Sequence, residues 1–126
     1  MAKLFVIVFF LLTTKNISTQ SPYSLSKQYT IEDGLPSNEC YDLVQDSLGY
    51  IWVATDRGLS RFDGYGFKNY GIAQGLEELS CLEMQIDSYG DIWLKTYSNR
   101  IYKYLHQQDT FVAYTFNDKL QKEVND

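Results

Sequence analysis

Acidic side chains are the residues in this sequence that could do chemistry, because two carboxylates flanking a substrate can act as general acid and general base. Five glutamates are candidates for lining one opening in the folded chain: Glu32, Glu39, Glu77, Glu78 and Glu83. Their spacing marks no shared site, and most of them fit solvent-facing loops. The sequence contains neither a nucleophile elbow nor a phosphate-binding loop. It therefore predicts no catalytic residue.

Two Asp-x-x-Gly segments, Asp46–Gly49 and Asp87–Gly90, and the single histidine, His106, are the candidate metal ligands. A calcium loop needs several alternating oxygen ligands and a closing bidentate glutamate, which neither segment has. Aspartate at the first position and glycine at the fourth are typical of a tight turn. His106 has no cysteine or second histidine at zinc-ligand spacing. We expect two turns, and neither a metal nor a cofactor site.

Trp52 and Trp93 could bind a sugar, because an indole ring can stack on the apolar side of a pyranose. Both occupy the same place in a repeated pattern, which favours packing in the core. Cys40 and Cys81 also share a repeated position. Equivalent positions on successive repeats should lie farther apart than the ~4.4–6.8 Å between the Cα atoms of a disulfide. We expect two core tryptophans and two buried free thiols, and residues that contact a ligand stay unassigned.

An internal repeat with a period of about 41–44 residues positions these side chains. Tyr29–Leu35 returns as Tyr70–Leu76, Asp46–Thr55 returns as Asp87–Thr96, and a third copy begins at Tyr114. Four strands are predicted in the first full copy: Glu39–Gln45, Tyr50–Thr55, Leu59–Asp63 and Phe67–Tyr70. A period of this length with four short strands is typical of a β-propeller blade.

The predicted fold class is all-β: a partial β-propeller of about two four-stranded antiparallel blades, preceded by an N-terminal signal-peptide helix. Residues 21–126 form the incomplete propeller, with blade one at 38–70, blade two at 79–114 and the start of a third repeat at 114–126. The segment 26–30 corresponds to a fourth strand. In a closed ring it would complete the last blade, which is missing here.

The N-terminus predicts export. Residues 1–20 combine a short basic end, nine apolar residues at Leu4–Leu12 and a polar stretch, which is typical of a signal peptide. Nine helical residues span about 14 Å, far short of a hydrocarbon core of ~30 Å. A buried N-terminal strand is the alternative. With a net charge of −5, the chain would repel phosphate backbones, so no nucleic-acid partner is expected.

Two runs, Glu32–Asn38 and Asp46–Gly64, resemble the two-component regulator propeller repeat. The second run combines an Asp-x-x-Gly turn, an Ile-Trp pair and a Gly-Leu-x-Arg-Phe-Asp-Gly element in the order of that family. The resemblance covers about residues 27–120. The second copy departs from the pattern, because Leu76–Leu79 replaces Leu-Pro-Ser-Asn and Arg100 replaces a glycine.

The resemblance implies an N-terminal fragment of a membrane-bound hybrid sensor histidine kinase, whose periplasmic propeller senses an extracellular nutrient, frequently a glycan fragment. The implied partners are the remaining blades, a second subunit of a parent homodimer and an oligosaccharide ligand. Membrane contact would come only through the missing C-terminal part, and this chain would not be an enzyme.

Two alternatives stay open: a fragment of a secreted propeller enzyme acting on a polysaccharide or lactone, and a purely structural interaction propeller. The geometry of an incomplete ring adds an expectation of its own. An uncovered apolar face on blade two and open strand edges predict that isolated residues 22–126 associate.

Overall fold

The computed structural model describes residues 25–125, and the predicted signal peptide with its helix lies outside them. Two four-stranded antiparallel sheets follow each other, each with its strands side by side in sequence order. The first blade contains β1 (Cys40–Gln45), β2 (Ile51–Thr55), β3 (Gly58–Phe62) and β4 (Phe67–Tyr70), and the second contains β5 (Cys81–Ile86), β6 (Ile92–Thr96), β7 (Ile101–Leu105) and β8 (Thr110–Ala113). The all-β prediction of about two four-stranded blades is confirmed, and the four strands predicted in the first copy end within one residue of their expected bounds.

Aspartate organises the first hairpin of each blade. Asp46 Oδ1 accepts hydrogen bonds from the backbone N–H groups of Leu48 and Tyr50, at 3.0 Å each. Gly49 closes the turn with a φ of 87°, which a glycine adopts at little cost. Asp87 makes the equivalent pair of bonds in the second blade, at 2.9 and 3.0 Å. Both segments are therefore turns, as predicted.

The third copy of the repeat opens differently from the first two. The turns Ile31–Asp33 and Ile72–Gln74 are single 3-10 turns, each ended by a glycine with a positive φ of 112° or 97°. Lys119 stands at the equivalent place in the third copy, and a side chain disfavours that left-handed conformation. The backbone instead continues as the helix α1 (Asn117–Asn125). The glycine is thus present in the two copies that make a short turn and is replaced in the copy that makes a helix.

Residues 26–30, expected as a fourth strand, form no strand in the structure. A strand is defined by hydrogen bonds to a neighbour, and the expected neighbour is a blade outside the described residues. Tyr29 nevertheless packs on the first blade, with its ring centroid 4.9 Å from that of Phe62. Pairing of this segment with a further blade stays a prediction.

The core lies between the two blades, which pack face to face. The inner strands β1 and β5 contact each other, and Asp42 of β1 accepts a hydrogen bond from the backbone N–H of Met84 at 2.7 Å. The buried apolar cluster draws on both blades: Trp52, Ala54, Leu59, Tyr70, Leu76, Cys81, Met84, Ile92, Leu94, Tyr102, Tyr104 and Phe111. Because strand side chains alternate between faces, each blade keeps a second face that no described blade covers.

Candidate functional site

Trp52 is the centre of the interface between the blades. It has no exposed surface, and its ring centroid lies 4.8 Å from that of Tyr104 and 6.1 Å from that of Phe111, both in the second blade. Its indole N–H donates to Asp46 Oδ2 at 2.8 Å. The aspartate that makes the turn therefore also orients the tryptophan. The predicted core role of Trp52 is confirmed.

Trp93 departs from the expectation that both tryptophans are core residues. It lies on the outer face of the second blade and is partly exposed. Its indole N–H donates to Asp87 Oδ2 at 2.8 Å, its ring contacts Tyr114 at 5.7 Å, and the Lys103 ammonium lies 5.4 Å from its centroid. The local arrangement matches that of Trp52, and only the covering blade differs.

A polar cluster at the edge of the interface was not predicted from the sequence. Asp109, in the β7–β8 turn, accepts hydrogen bonds from the hydroxyls of Tyr70 at 2.7 Å and Tyr104 at 2.6 Å, and from Lys68. Arg61 lies 3.6 Å from the same carboxylate and donates to the Tyr104 hydroxyl at 3.1 Å. Tyr70, Lys68 and Arg61 belong to the first blade, so the cluster joins the blades.

The sequence holds one signal for this cluster. The repeat spacing drifts from 42 residues between Phe62 and Tyr104 to 44 residues between Phe67 and Phe111. The second of these hairpins is therefore two residues longer than the first, because the pair Leu105 and Thr110 extends its strands by one residue each. Asp109 lies in the turn of this longer hairpin, has a positive φ of 53° and contacts the neighbouring blade. A change of hairpin length inside a repeat thus marks a contact that the repeat itself does not encode.

The electrostatics of this cluster indicate a structural role at the interface between the blades. Desolvation alone would raise the pKa of Asp109, but hydrogen bonds from Lys68, Tyr104 and Tyr70 to its charged form outweigh this and lower the pKa well below its ordinary 3.8. Desolvation raises the pKa of both tyrosines, and their bonds to Asp109 raise it further. A charged carboxylate held by neutral phenols and two cations stabilises the interface without a proton to transfer.

Cys40 and Cys81 are free, as expected. Cys81 is buried between the blades, where desolvation raises the pKa of its thiol to about 12. Cys40 is exposed, which corrects the expectation of two buried thiols, because it lies on the uncovered face of the first blade. Desolvation raises the pKa of Cys40 as well. Its thiol is accessible but not activated.

An open cleft of about 730 Å³ occupies this uncovered face of the first blade. Most of its walls are apolar or aromatic: Tyr29, Leu43, Ile51, Val53, Phe62 and Phe67. Leu43 is 60% exposed. The uncovered apolar surface was expected on the second blade, but the cleft on the outer face there measures only about 140 Å³, and Lys95 and Glu83 form an ion pair on it at 3.3 Å. The first blade therefore carries the main unfilled surface.

Three of the five glutamates considered as acid and base have partners of their own, and Glu83 pairs with Lys95 as described above. Glu77 pairs with Arg100 at 2.6 Å, and Glu78 accepts a hydrogen bond from the backbone N–H of Ser98 at 3.1 Å. Within residues 25–125, no three His, Cys, Asp or Glu side chains are arranged to hold a metal ion. His106 is exposed. None of the helices in the described part is long and apolar enough to cross a membrane.

Two four-stranded antiparallel sheets, packed face to face and built from one repeated pattern, define a pair of β-propeller blades. Residues 34–57 match the model of the two component regulator propeller family. This match lies within the region on which the resemblance seen in the sequence rests, and it agrees with that resemblance.

The chain spans only a small part of the length of the known proteins that it matches. Histidine kinase P4 of Formosa agariphila is 34% identical over 64 residues, which is 51% of this chain and 5% of that protein. Two solved extracellular domains from B. thetaiotaomicron share the fold, and each is matched over 73% of this chain and 13% of its own length. One is assigned to a hybrid two component system, with a TM-score of 0.63 and 24% identity. The other is assigned to a one component system, with a TM-score of 0.58 and 14% identity.

Proposed function

We propose that this chain supplies two blades to the periplasmic, ligand-sensing propeller of a membrane-bound two-component sensor histidine kinase. The observation that carries the proposal is the match of residues 34–57 to the family repeat, on a blade pair whose outer faces are left uncovered by a blade within the described residues. An uncovered apolar cleft on one blade and a partly exposed tryptophan on the other fit a pair that is flanked by further blades.

The role of this blade pair is scaffolding and binding rather than catalysis. The chemically competent side chains at the blade interface are engaged in structural contacts, with Asp109 joining the blades and Asp46 holding Trp52. The ligand would be an extracellular nutrient, of which an oligosaccharide is our first candidate. It would contact loops of several blades and shift a dimeric sensor between two signalling states, which the kinase reads. The parent protein would be anchored in the inner membrane.

Gene context and a signalling assay test this proposal together. We expect the natural gene to continue into further blades, a transmembrane segment and a histidine-kinase core. In the parent organism, Trp52→Ala should abolish the transcriptional response to an oligosaccharide panel while the protein still reaches the membrane. A gene that ends after a closed ring with clustered acidic residues would instead support a secreted enzyme, and an unchanged response in the variant would contradict a sensing role for these blades.

A further inference from the structure

A polar pocket lies at the turn end of the first blade, next to the ionic joint, which is the cluster of Asp109 with Lys68 and Arg61 described above. It has a volume of about 220 Å³ and is lined by Tyr50, Arg61, Asp63, Gly66, Phe67 and Lys68. Arg61 pairs with Trp52 on one neighbouring strand and with Lys68 on the other. Both cations therefore lie on the face that packs against the second blade, opposite the uncovered cleft.

The second blade fills the equivalent place with an ion pair of its own. The counterparts of Tyr50 and Arg61 are Asp91 and Lys103, whose carboxylate and ammonium lie 2.5 Å apart. The first blade has a tyrosine where the second has this aspartate. The Arg61 guanidinium lies over the Tyr50 ring instead, 4.8 Å from its centroid. The polar pocket is thus a departure from the repeat, and the blade fold does not depend on it.

Polar groups of the pocket keep unused capacity for hydrogen bonds. Asp63 Oδ1 accepts from the backbone N–H groups of Tyr65 and Gly66, at 2.8 and 2.9 Å, and no described residue donates to Asp63 Oδ2. Hydrogen bonds from these N–H groups lower the pKa of Asp63 below its ordinary 3.8, so its carboxylate is charged at neutral pH. Arg61 has five N–H donors, of which one binds the Tyr104 hydroxyl. The pocket therefore offers an acceptor and donors side by side.

Tyr65 supplies an exposed aromatic ring in the turn that forms one wall of the pocket. It is 98% exposed, and its side chain makes no hydrogen bond or ring contact within residues 25–125. It stands between Gly64 and Gly66. Gly66 does not have a positive φ, and a Cβ there would meet no atom within 4 Å, so the fold does not require a glycine at this position. The exposed ring and the second glycine both suit a turn that adjusts to a bound molecule.

Charge and size define the class of this molecule. Arg61 and Lys68 each carry a positive charge, and Asp63 and Asp109 each carry a negative one, so the surroundings favour a neutral ligand. A hydroxyl both donates and accepts, and a pair of adjacent hydroxyls therefore matches a carboxylate beside a guanidinium. An amphipathic aromatic ring such as that of Tyr65 can cover an apolar face. The pocket is smaller than the ~300–1,000 Å³ of sites that take a drug-sized ligand, which fits a single sugar ring.

We propose that this pocket binds one neutral monosaccharide unit of an oligosaccharide, with Asp63 and Arg61 bound to adjacent hydroxyls and Tyr65 stacked on the sugar ring. The choice of a sugar rests on the sensor function proposed above, and the inference adds a place and a ligand class to it. Arg61 belongs to the pocket and to the ionic joint. A bound sugar therefore contacts the interface between the two blades directly.

An NMR titration of the purified protein with five monosaccharides tests the site: D-glucose, D-galactose, D-mannose, D-xylose and L-rhamnose. We expect at least one of them to shift the backbone amide resonances of Tyr65 and Gly66 saturably, with a Kd in the millimolar range that suits so small a ligand. Tyr65→Ala should weaken this binding by about tenfold, because the stacking contact is lost. Asp63→Asn should weaken it by about fivefold, because an N–H donor replaces Oδ2 while Oδ1 still accepts in the turn.

Tyr89→Ala is the matched control. Tyr89 is 91% exposed on a turn of the second blade and does not line the pocket, so this variant should keep the same Kd. Far-UV circular dichroism checks that each variant is folded, and Asp63→Asn decides the test if Tyr65→Ala is not.

Three results would overturn the proposal: no shift at Tyr65 and Gly66 with any of the five sugars, an unchanged Kd in a folded Tyr65→Ala chain, or tighter binding of D-glucuronate than of the neutral sugars. A gene without a kinase would refute the sensor function and leave the titration standing. A failed titration would refute this site and leave a sensor for another ligand, so the two failures are distinguishable.

Discussion

Trp52 and Trp93 occupy the same position in two copies of one repeat, but they differ in burial. Each indole N–H donates to an aspartate six residues earlier, at 2.8 Å in both blades. Each ring contacts a tyrosine of its own fourth strand or just beyond it, at 5.2 and 5.7 Å. Trp52 also contacts two rings of the next blade and is fully buried, whereas Trp93 is partly exposed.

This difference shows which contacts form within one blade and which need a second blade. The aspartate turn, the indole hydrogen bond and the tyrosine contact form within one repeat, because all of their residues lie within one blade of the chain. Burial of the indole needs a second blade. A repeat unit of this kind orients its core residues by itself but buries them only when it has a neighbour.

Removing the indole of Trp52 or of Trp93 should give the largest difference in stability between equivalent positions of the two blades. Trp52→Ala should lower the free energy of unfolding by about 3–5 kcal/mol, because it leaves a cavity in a filled interface. Trp93→Ala should lower it by about 1 kcal/mol, because the ring is only partly buried. Urea unfolding followed by far-UV circular dichroism measures both. Equal losses would mean that the outer face of the second blade is covered in solution.

A smaller difference in stability is expected between alanine variants of Gly34 and Gly75, the glycines that end the two 3-10 turns. Both adopt positive φ, so alanine should destabilise each by about 1 kcal/mol through backbone strain. A Cβ at Gly75 would also lie 1.9 Å from the backbone oxygen of Phe111, whereas a Cβ at Gly34 would lie 3.5 Å from the nearest atom, in Phe67. Gly75→Ala should therefore lower the free energy of unfolding by about 2–4 kcal/mol in total. The same urea titration tests this, and a milder effect at Gly75 than at Gly34 would contradict the packing of the connection against β8.

Asp109 should make the stability of the interface between the two blades sensitive to acid. Its folded pKa lies below the ordinary 3.8, so its stabilisation is complete above about pH 5 and is lost progressively as the pH falls below that value. Asp109→Asn should lower the free energy of unfolding at neutral pH by about 1–2 kcal/mol, through weaker bonds to Lys68 and the two tyrosines. The gap between the two chains should close on acidification. Glu32→Gln, at an exposed site, is the control, and a gap that stays constant down to pH 2 would refute the ionic joint.

The smallest effect is expected where the third repeat departs from the first two. Lys119→Gly should favour the short turn over α1, because glycine adopts positive φ readily and is a poor helix former. The change in the free energy of unfolding should be below about 1 kcal/mol. Backbone chemical shifts over residues 117–125 measure the loss of helix. Lys122→Ala, on the same helix, should preserve it, and an unchanged helix in Lys119→Gly would show that residue type does not decide this element.

The repeat pattern was sufficient to predict the blades and the turns. Asp46 and Gly49 act within a few residues of each other, and the strands follow from alternation and turn residues. The pattern did not predict Asp109, because this residue meets Lys68 and Tyr70 only after two blades have packed. It also assigned one role to Cys40 and Cys81, although one is exposed and the other buried.

The sequence by itself therefore determined the blade: its strands, its aspartate turns and its glycine-terminated connections. The reason is that these features are fixed by interactions between residues close in the chain. Only the tertiary structure decided which tryptophan is buried and which face is left as a cleft. Those outcomes depend on contacts between blades, since burial and desolvation are properties of the packed pair and not of the single repeat.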